Sequence, residues 1–405
     1  MLILRLALRN ILRNKRRTSL TCLLLVSALV IMILMDGLMM GVTRIMVESL
    51  TETLEGEAQI YRQGWRDRFD PALYLDQPDE IRSSLDADDS VVAWSERVMT
   101  PAMLASSYST QGVMVYGVNM DQERKVSRIQ QAQVSGDGLE GPGDILLGDA
   151  LADKLEVTLG DRIVLTTSSL DGNDLVQVLF RVRGLIRFGP SELDERLAFI
   201  DLVAARQMLG LGDGSHQFVV RFEDASIPNA PLVPLFEQVR SEVVGAEGWL
   251  SIQPAIGSML EMSNFGRIVL GLILFLLAAL GVVNSIFMSI YERLYEFAVT
   301  KAIGTRPFWI GRLIVLESLL MAFISVAIGL VIAYFLGGYL ESEGLNMGQM
   351  EVSGVVIPDR IKPQMAFNQF VEAASFLILL TMLTALYPAL YAAKITPAEA
   401  VKRSL

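Results

Sequence analysis

The chain has 405 residues, 52% of them hydrophobic and 20% charged, with a net charge of −11 and a positive mean hydropathy. It is too apolar for an ordinary soluble protein, which points to the membrane. It is also too acidic to bind nucleic acid through overall charge, and its single cysteine, Cys22, rules out a disulfide within the chain.

Residues 1–17 carry Arg5, Arg9, Arg13, Lys15, Arg16 and Arg17 with no acid. Leu2, Leu6, Leu8 and Ile11 or Leu12 recur among them, which predicts a basic amphipathic helix at the cytoplasmic surface, running into the first span without a break. Residues 18–46 supply that span (TM1) and the start of a stalk. Its apolar run is longer than a signal-peptide core and no A-x-A-like site follows, so it is expected to remain as an anchor.

Residues 47–262 form one block with 35 acidic against 17 basic residues, read as a solvated acidic surface. AQIYR, GVMVYGV, DILLG, RIVLTT, LVQVLFRVRGLI, LAFIDL and QFVVRF show strand patterns. DALADKLEVT, DLVAARQMLG and LFEQVRSEVV show helical spacing. The fold class expected is therefore membrane α-helical, with four transmembrane helices and a large α+β extracytoplasmic domain inserted between helices 1 and 2.

Residues 263–291 read as TM2, 292–309 as a short cytoplasmic helix and turn, 310–337 as TM3, 338–369 as an external loop poor in basic residues, 370–392 as TM4 and 393–405 as a cytoplasmic tail. Lys and Arg cluster at 5–17, at Arg293, Lys301, Arg306 and Arg312, and at Lys394, Lys402 and Arg403. The positive-inside rule then places both termini and 292–309 in the cytoplasm and the inserted domain outside.

Little in the chain suggests catalysis. The one histidine, His216, reads as a turn residue and leaves no Cys–His pair or metal cluster. GDGLEG at 136–141 has the G-x-G-x-x-G spelling, but no strand is expected to lead into it and Pro142 follows, so it reads as a loop. There is no P-loop, and the carboxylates Glu192, Asp194 and Glu195 carry little information on an acidic surface. Within the spans, Asp36, Asn284 and Glu317 are the polar residues, with structural or subunit-packing roles expected for the two carboxylates. Gly271, Ala278, Ala279, Gly281, Ser285, Ala327, Gly329, Gly337 and Gly338 suggest close helix packing in an oligomer.

The segment ERLYEFAVTKAI (292–303) keeps a helical rhythm, with Leu294, Phe297, Ala298 and Lys301 near one face. Glu292 and Glu296 form an i, i+4 like-charge pair that a basic partner would relieve. Gly304 can close this helix and Pro307 stops its continuation. From the residues alone, contact with lipid headgroups and docking on another protein both stay open.

Taken in order, four stretches resemble the permease family that includes the MacB macrolide exporters, the LolC and LolE lipoprotein-releasing subunits and the cell-division protein FtsX. LALRNILRNKRRTSLT resembles the family's arginine-rich entry to TM1. GDILLGDALADKLEVTLGDRIVL resembles the core of the MacB-like periplasmic domain at Gly148, Ala152, Leu155, Gly160 and Asp161. NSIFMSIYERLYEFAVTKAIG matches the family pattern at Asn284, Glu292, Arg293, Glu296, Lys301, Ala302 and Gly304. YPALYAAKITPAEAVK matches at Tyr387, Pro388, Ala389, Ala392, Ala393, Pro397, Ala400 and Lys402.

The resemblance implies a non-enzymatic permease subunit of an ATP-binding-cassette complex in the bacterial inner membrane, working by mechanotransmission. Glu292, Arg293, Glu296, Phe297, Lys301, Ala302 and Gly304 would form its ATPase-coupling helix, with the glutamates meeting the ATPase. Asn284, Pro388, Ala393, Pro397 and Ala400 would be structural. Two copies of a separate ATPase, which bind the ATP and Mg, a second permease chain, identical or homologous, the lipid bilayer and a periplasmic acceptor protein are the implied partners, with no nucleic acid and no cofactor or metal in this chain. With only seventeen residues before TM1, the layout sits closest to the lipoprotein-releasing subunits. The expected activity is release of lipoprotein or another lipid-like molecule at the outer face. The alternatives are an FtsX-like regulator of an external hydrolase or signalling partner, or a MacB-like peptide or drug efflux permease.

Overall fold

Residues 2–170, 174–189, 191–346, 348, 350–352, 355–357 and 360–395 are described by the computed structural model. The chain divides into two compact units, Met1–Arg44 with Leu260–Gly348 and Asp359–Leu405, and Ile45–Met259 with Gln349–Pro358.

In the first unit the apolar runs form helices long enough to cross a membrane. Helix α1 (Leu2–Arg13) ends at Asn14, and α2 begins at Lys15 and runs to Leu50. The expected unbroken N-terminal helix is thus interrupted by a turn at Asn14. The other three long helices are α12 (Pro254–Glu292), α14 (Pro307–Glu343) and α15 (Phe367–Lys394), with the short α13 (Leu294–Ala302) between α12 and α14. Their shared core includes Leu25, Leu29 and Ile33 of α2, Val282 and Ile286 of α12, Ile310 and Ile314 of α14, and Leu377 and Ala385 of α15. Pro307 occupies the first turn of α14, where its missing N–H costs nothing. Gly37 and Gly41 of α2 lie against the segment before α15: a Cβ at Gly41 would sit 2.3 Å from the Lys362 carbonyl oxygen.

The second unit is built on a mixed ten-stranded sheet. Strands β1 (Ala58–Arg62), β2 (Val91–Ala105), β3 (Thr110–Val118), β4 (Gln133–Gly136), β5 (Asp144–Gly148), β6 (Arg162–Ser168), β7 (Leu175–Ile186), β8 (Leu197–Asp201), β9 (Gln217–Phe222) and β10 (Val244–Gly248) run in the order β10-β1-β9-β2-β3-β8-β5-β7-β4. Strand β6 lies off this path, paired with β2 and β7. Helices α3 (Trp65–Arg68), α4 (Asp79–Ala87), α5 (Met120–Val126), α6 (Ile129–Ala132), α7 (Asp149–Leu155), α8 (Ser191–Asp194), α9 (Leu202–Leu209), α10 (Pro234–Val239) and α11 (Trp249–Ile252) complete it. One core gathers Leu104, Val115, Ile145, Leu155, Phe180 and Ile200, and another gathers Ile60, Phe218, Val220, Leu235 and Ala246.

Two readings of this unit change. The segment 235–244 is a helix only to Val239 and gives way to β10 at Val244. Strand β2, the longest of the sheet, was not among the expected strands. The segment 338–369 carries two short antiparallel ribbons, β11 (Leu345–Asn346) with β14 (Arg360–Ile361) and β12 (Met350–Val352) with β13 (Val355–Ile357).

Candidate functional site

Arg293 leaves the helical path between α12 and α13 at φ −114°, ψ 15°. It turns inward together with Leu294, Phe297 and Ala298, all buried. Its Nη1 donates to Glu317 of α14 at 2.9 Å (Oε1) and 3.3 Å (Oε2), and its Nε donates to Glu296 Oε2 at 3.2 Å. The guanidinium carbon lies 5.0 Å from the centre of the Phe297 ring. Asn10 of α1 donates to the same Glu317 Oε1 at 2.5 Å. Both charged groups have left water, so each depends on the other and on these extra hydrogen bonds to offset desolvation.

Glu292 and Glu296 do have a basic partner, and it lies in the same chain. Arg17 and Asn14 each donate to Glu292 Oε2 at 2.7 Å, and Arg13 donates to Glu296 Oε1 at 3.0 Å. Partial burial disfavours the Glu296 carboxylate, but the hydrogen bonds from Arg293 and Arg13 prevail and hold its pKa below the ordinary glutamate value. The like-charge pair is therefore answered by Arg13 of α1 and Arg17 of α2, and an external cation is not needed to explain it.

Lys301 ties the other end of α13 to α15. Its Nζ donates to the carbonyls of Ala393 and Ile395 at 2.7 Å each and of Ala392 at 3.3 Å, placing a cation on the unpaired acceptors at that helix's C-terminus. Burial lowers the Lys301 pKa. Gly304 then stops α13 at φ +103°, a conformation that a side chain resists. Ala302 and Gly304 are exposed, as are Tyr295, Val299, Ile303 and Phe308. Pro388 is buried inside α15, and Ala393 supplies one of the carbonyls that Lys301 holds. Asn284 is exposed on α12. Pro397, Ala400 and Lys402 lie outside the described residues.

The family pattern thus marks a connected cluster of Arg293, Glu296 and Phe297, and a separate tie from Lys301 to the end of α15. Sequence reasoning missed Asn10, Arg13, Asn14 and Arg17 as their partners. The signal was available: no acid precedes Asp36, so any counter-charge for the six early cations had to come from elsewhere. The span carboxylates follow the same rule. Glu317 is held by Arg293, and Asp36 accepts from Arg267 Nη1 at 2.5 Å. Several small residues pack within the chain, with Gly281 against Leu24, Gly329 against Leu29 and Gly337 against Met365. Gly271 and Gly338 meet nothing within 4 Å.

In the second unit, His216 lies fully buried at the bend that leads into β9. Its Nδ1 accepts from the Met99 N–H at 3.0 Å, its Nε2 lies 2.9 Å from the Pro71 carbonyl, and its ring stacks on Trp65. Burial lowers its pKa to about 4. A strand, β4, does lead into GDGLEG, contrary to expectation, but no helix follows. The N–H groups of Glu140 and Gly141 donate to Asp144 Oδ2, so an internal carboxylate already occupies the loop. Asp194 accepts from the Phe188 and Gly189 N–H groups, and Glu195 pairs with Lys154. The deepest ion pair joins Arg97 of β2 to Glu123 of α5, 2.6 Å apart, with Arg97 also donating to the Leu54 carbonyl.

Comparison with known proteins agrees with this architecture. The family described as MacB-like periplasmic core domain matches residues 18–230, and the family described as FtsX-like permease C-terminal matches residues 268–397. The lipoprotein-releasing system transmembrane protein LolC of Neisseria meningitidis is 23% identical over 326 residues, 77% of this chain and 78% of that one. LolE of Haemophilus influenzae is 23% identical over 335 residues, 79% of each chain. The periplasmic region of MacB from Actinobacillus actinomycetemcomitans superposes with a TM-score of 0.37 and 12% identity, covering 49% of this chain and 92% of that one. A MacB-like core domain set between the first and second of four membrane helices, followed by an FtsX-like C-terminal region, makes this chain a member of the MacB/FtsX-like family of ABC transporter permeases.

Proposed function

We propose that the chain is the permease subunit of an envelope transporter in the bacterial inner membrane, with both termini cytoplasmic, that works by mechanotransmission. In this reading α13 is the helix on which a separate ATPase chain acts. The observation that carries it is the way α13 is held. Glu296 binds Arg13 of α1, Glu292 binds Asn14 of the turn and Arg17 of α2, Arg293 binds α14 and Lys301 binds the end of α15. The nine-residue helix is thereby tied to helices on every side, while Tyr295, Val299 and Ile303, spaced at i, i+4, i+8, stay exposed. A load applied to that apolar stripe reaches α1, α2, α14 and α15 through buried or charge-assisted contacts rather than through a loop.

The glutamates serve this function from inside the chain, as anchors of α13. The docking surface is the stripe, with Ala302, Gly304 and Phe308 at its end. ATP and Mg belong to the partner, and a second permease chain, identical or homologous, completes the complex.

The cargo proposed is a lipoprotein or a related amphiphile taken up at the outer face and passed to a periplasmic acceptor. Similarity to LolC and LolE over more than three quarters of the chain supports that class. A photocrosslinking residue placed at Ile303 should capture a nucleotide-binding chain in native membranes, and one at buried Ala298 should not. Capture of lipid alone at Ile303 would overturn the docking reading. Lipoprotein copurified with the complex and released on ATP addition would test the cargo.

A further inference from the structure

The cations at the start of the chain fall into two sets. Arg13 and Arg17 are taken up by Glu296 and Glu292. Arg5, Arg9, Lys15 and Arg16 are exposed, and among the described residues no carboxylate pairs with them. Arg5 and Arg9 stand one turn apart on the side of α1 opposite the buried Ala7 and Ile11, with Leu8 exposed between them. Lys15 and Arg16 open α2, and one and two turns beyond Arg16 come Leu20, 67% exposed, and Leu23, 61% exposed. Cations therefore give way to exposed leucines along one face within two turns, the pattern of a surface that meets phosphate at one level and acyl chain at the next.

We propose that Arg5, Arg9, Lys15 and Arg16 form a binding surface for anionic phospholipid headgroups. Four uncompensated positive charges select an anionic headgroup over a zwitterionic one, whose amine cancels its phosphate. The position fits, because the surface adjoins the inner end of the first span. The same two helices carry the Arg13 and Arg17 contacts to α13, so a lipid seated there steadies the helix that holds the proposed coupling element. The lipid site itself does not depend on the coupling reading.

The test uses the full-length chain in detergent, titrated with phosphatidylglycerol or with phosphatidylcholine, with bound lipids counted by native mass spectrometry. The wild type should retain phosphatidylglycerol in preference, and high salt should remove the preference. The triple variant Arg5→Gln, Arg9→Gln, Arg16→Gln, which leaves Arg13 and Arg17 in place, should lose about tenfold or more in relative affinity for phosphatidylglycerol. The double variant Arg162→Gln, Arg181→Gln, on exposed strand positions of the other unit, should lose none. A wild type without the preference, or a triple variant that keeps it, would overturn the proposal. Unchanged lipid binding together with loss of a copurifying protein from the triple variant would overturn it in favour of a protein partner.

Discussion

Arg293 and Glu317 form a buried ion pair, Nη1 to Oε1 at 2.9 Å, that joins the start of α13 to α14. Removing one partner of such a pair leaves a charge without compensation and typically costs about 3–5 kcal/mol. Arg293→Met or Glu317→Leu alone should therefore sharply lower the melting temperature of the detergent-solubilised chain. The double variant Arg293→Met, Glu317→Leu should recover much of that loss, because no unpaired charge remains. Equal damage in the double and single variants would show that the pair is not the stabilising unit.

Glu292 and Glu296 are paired within the chain, so their charge can be exchanged rather than lost. Each pair is partly exposed and is worth about 1 kcal/mol or less. Glu292→Lys with Glu296→Lys should impair ATP hydrolysis driven through the permease while leaving the chain inserted and folded. Adding Arg13→Glu and Arg17→Glu should restore it. Failure of the compensating change, with the quadruple variant still folded, would return the glutamates to an external partner.

The burial of His216 makes the second unit sensitive to acid. Its pKa is near 4 in the folded protein and near the ordinary 6.5 when unfolded, so the unfolded chain binds the proton more readily. Its contribution is complete above pH 6.5 and is lost as pH falls towards 4. A gap of that size is worth about 3 kcal/mol. The melting temperature of the chain should drop over this window in the wild type and more shallowly in His216→Gln; parallel pH curves would count against it.

Arg97 and Glu123 make the corresponding pair in the second unit. Burial raises the Glu123 pKa, but the Arg97 charge and its hydrogen bonds outweigh burial and lower it overall. Glu123→Gln should strand the guanidinium beside the Leu54 carbonyl, at a cost of about 3–5 kcal/mol, read as earlier proteolysis near Leu54. Protection equal to wild type at that site would contradict the role given to Arg97.

The legible parts of the fold were those whose burial follows a period. The four spans and strands such as β7, with alternating exposure along Leu175–Phe180, announce themselves through apolar spacing. Strand β2 does not, because Ser95, Glu96, Arg97 and Thr100 are all buried within it. Those polar groups are satisfied by Glu123, by Arg82 and Arg206, and by Thr167, residues far away in sequence. The same limit governed the site. Helix α13 was visible from its own rhythm and Gly304, yet the partners of its charges sit some 280 positions earlier, and local pattern carries no information across that distance. The burial of His216 was hidden for the same reason, since its neighbours Pro71 and Met99 come from other segments.

Strands β1 and β10, the first and last of the large sheet, are neighbours at its edge, with Ala58 opposite Gly248. The polypeptide therefore enters and leaves this sheet through one doorway. Nothing in the sheet's pairing has to be undone to lift the domain out or to exchange it for another whose ends also meet. A permease built this way can keep its helices while this one cassette is exchanged.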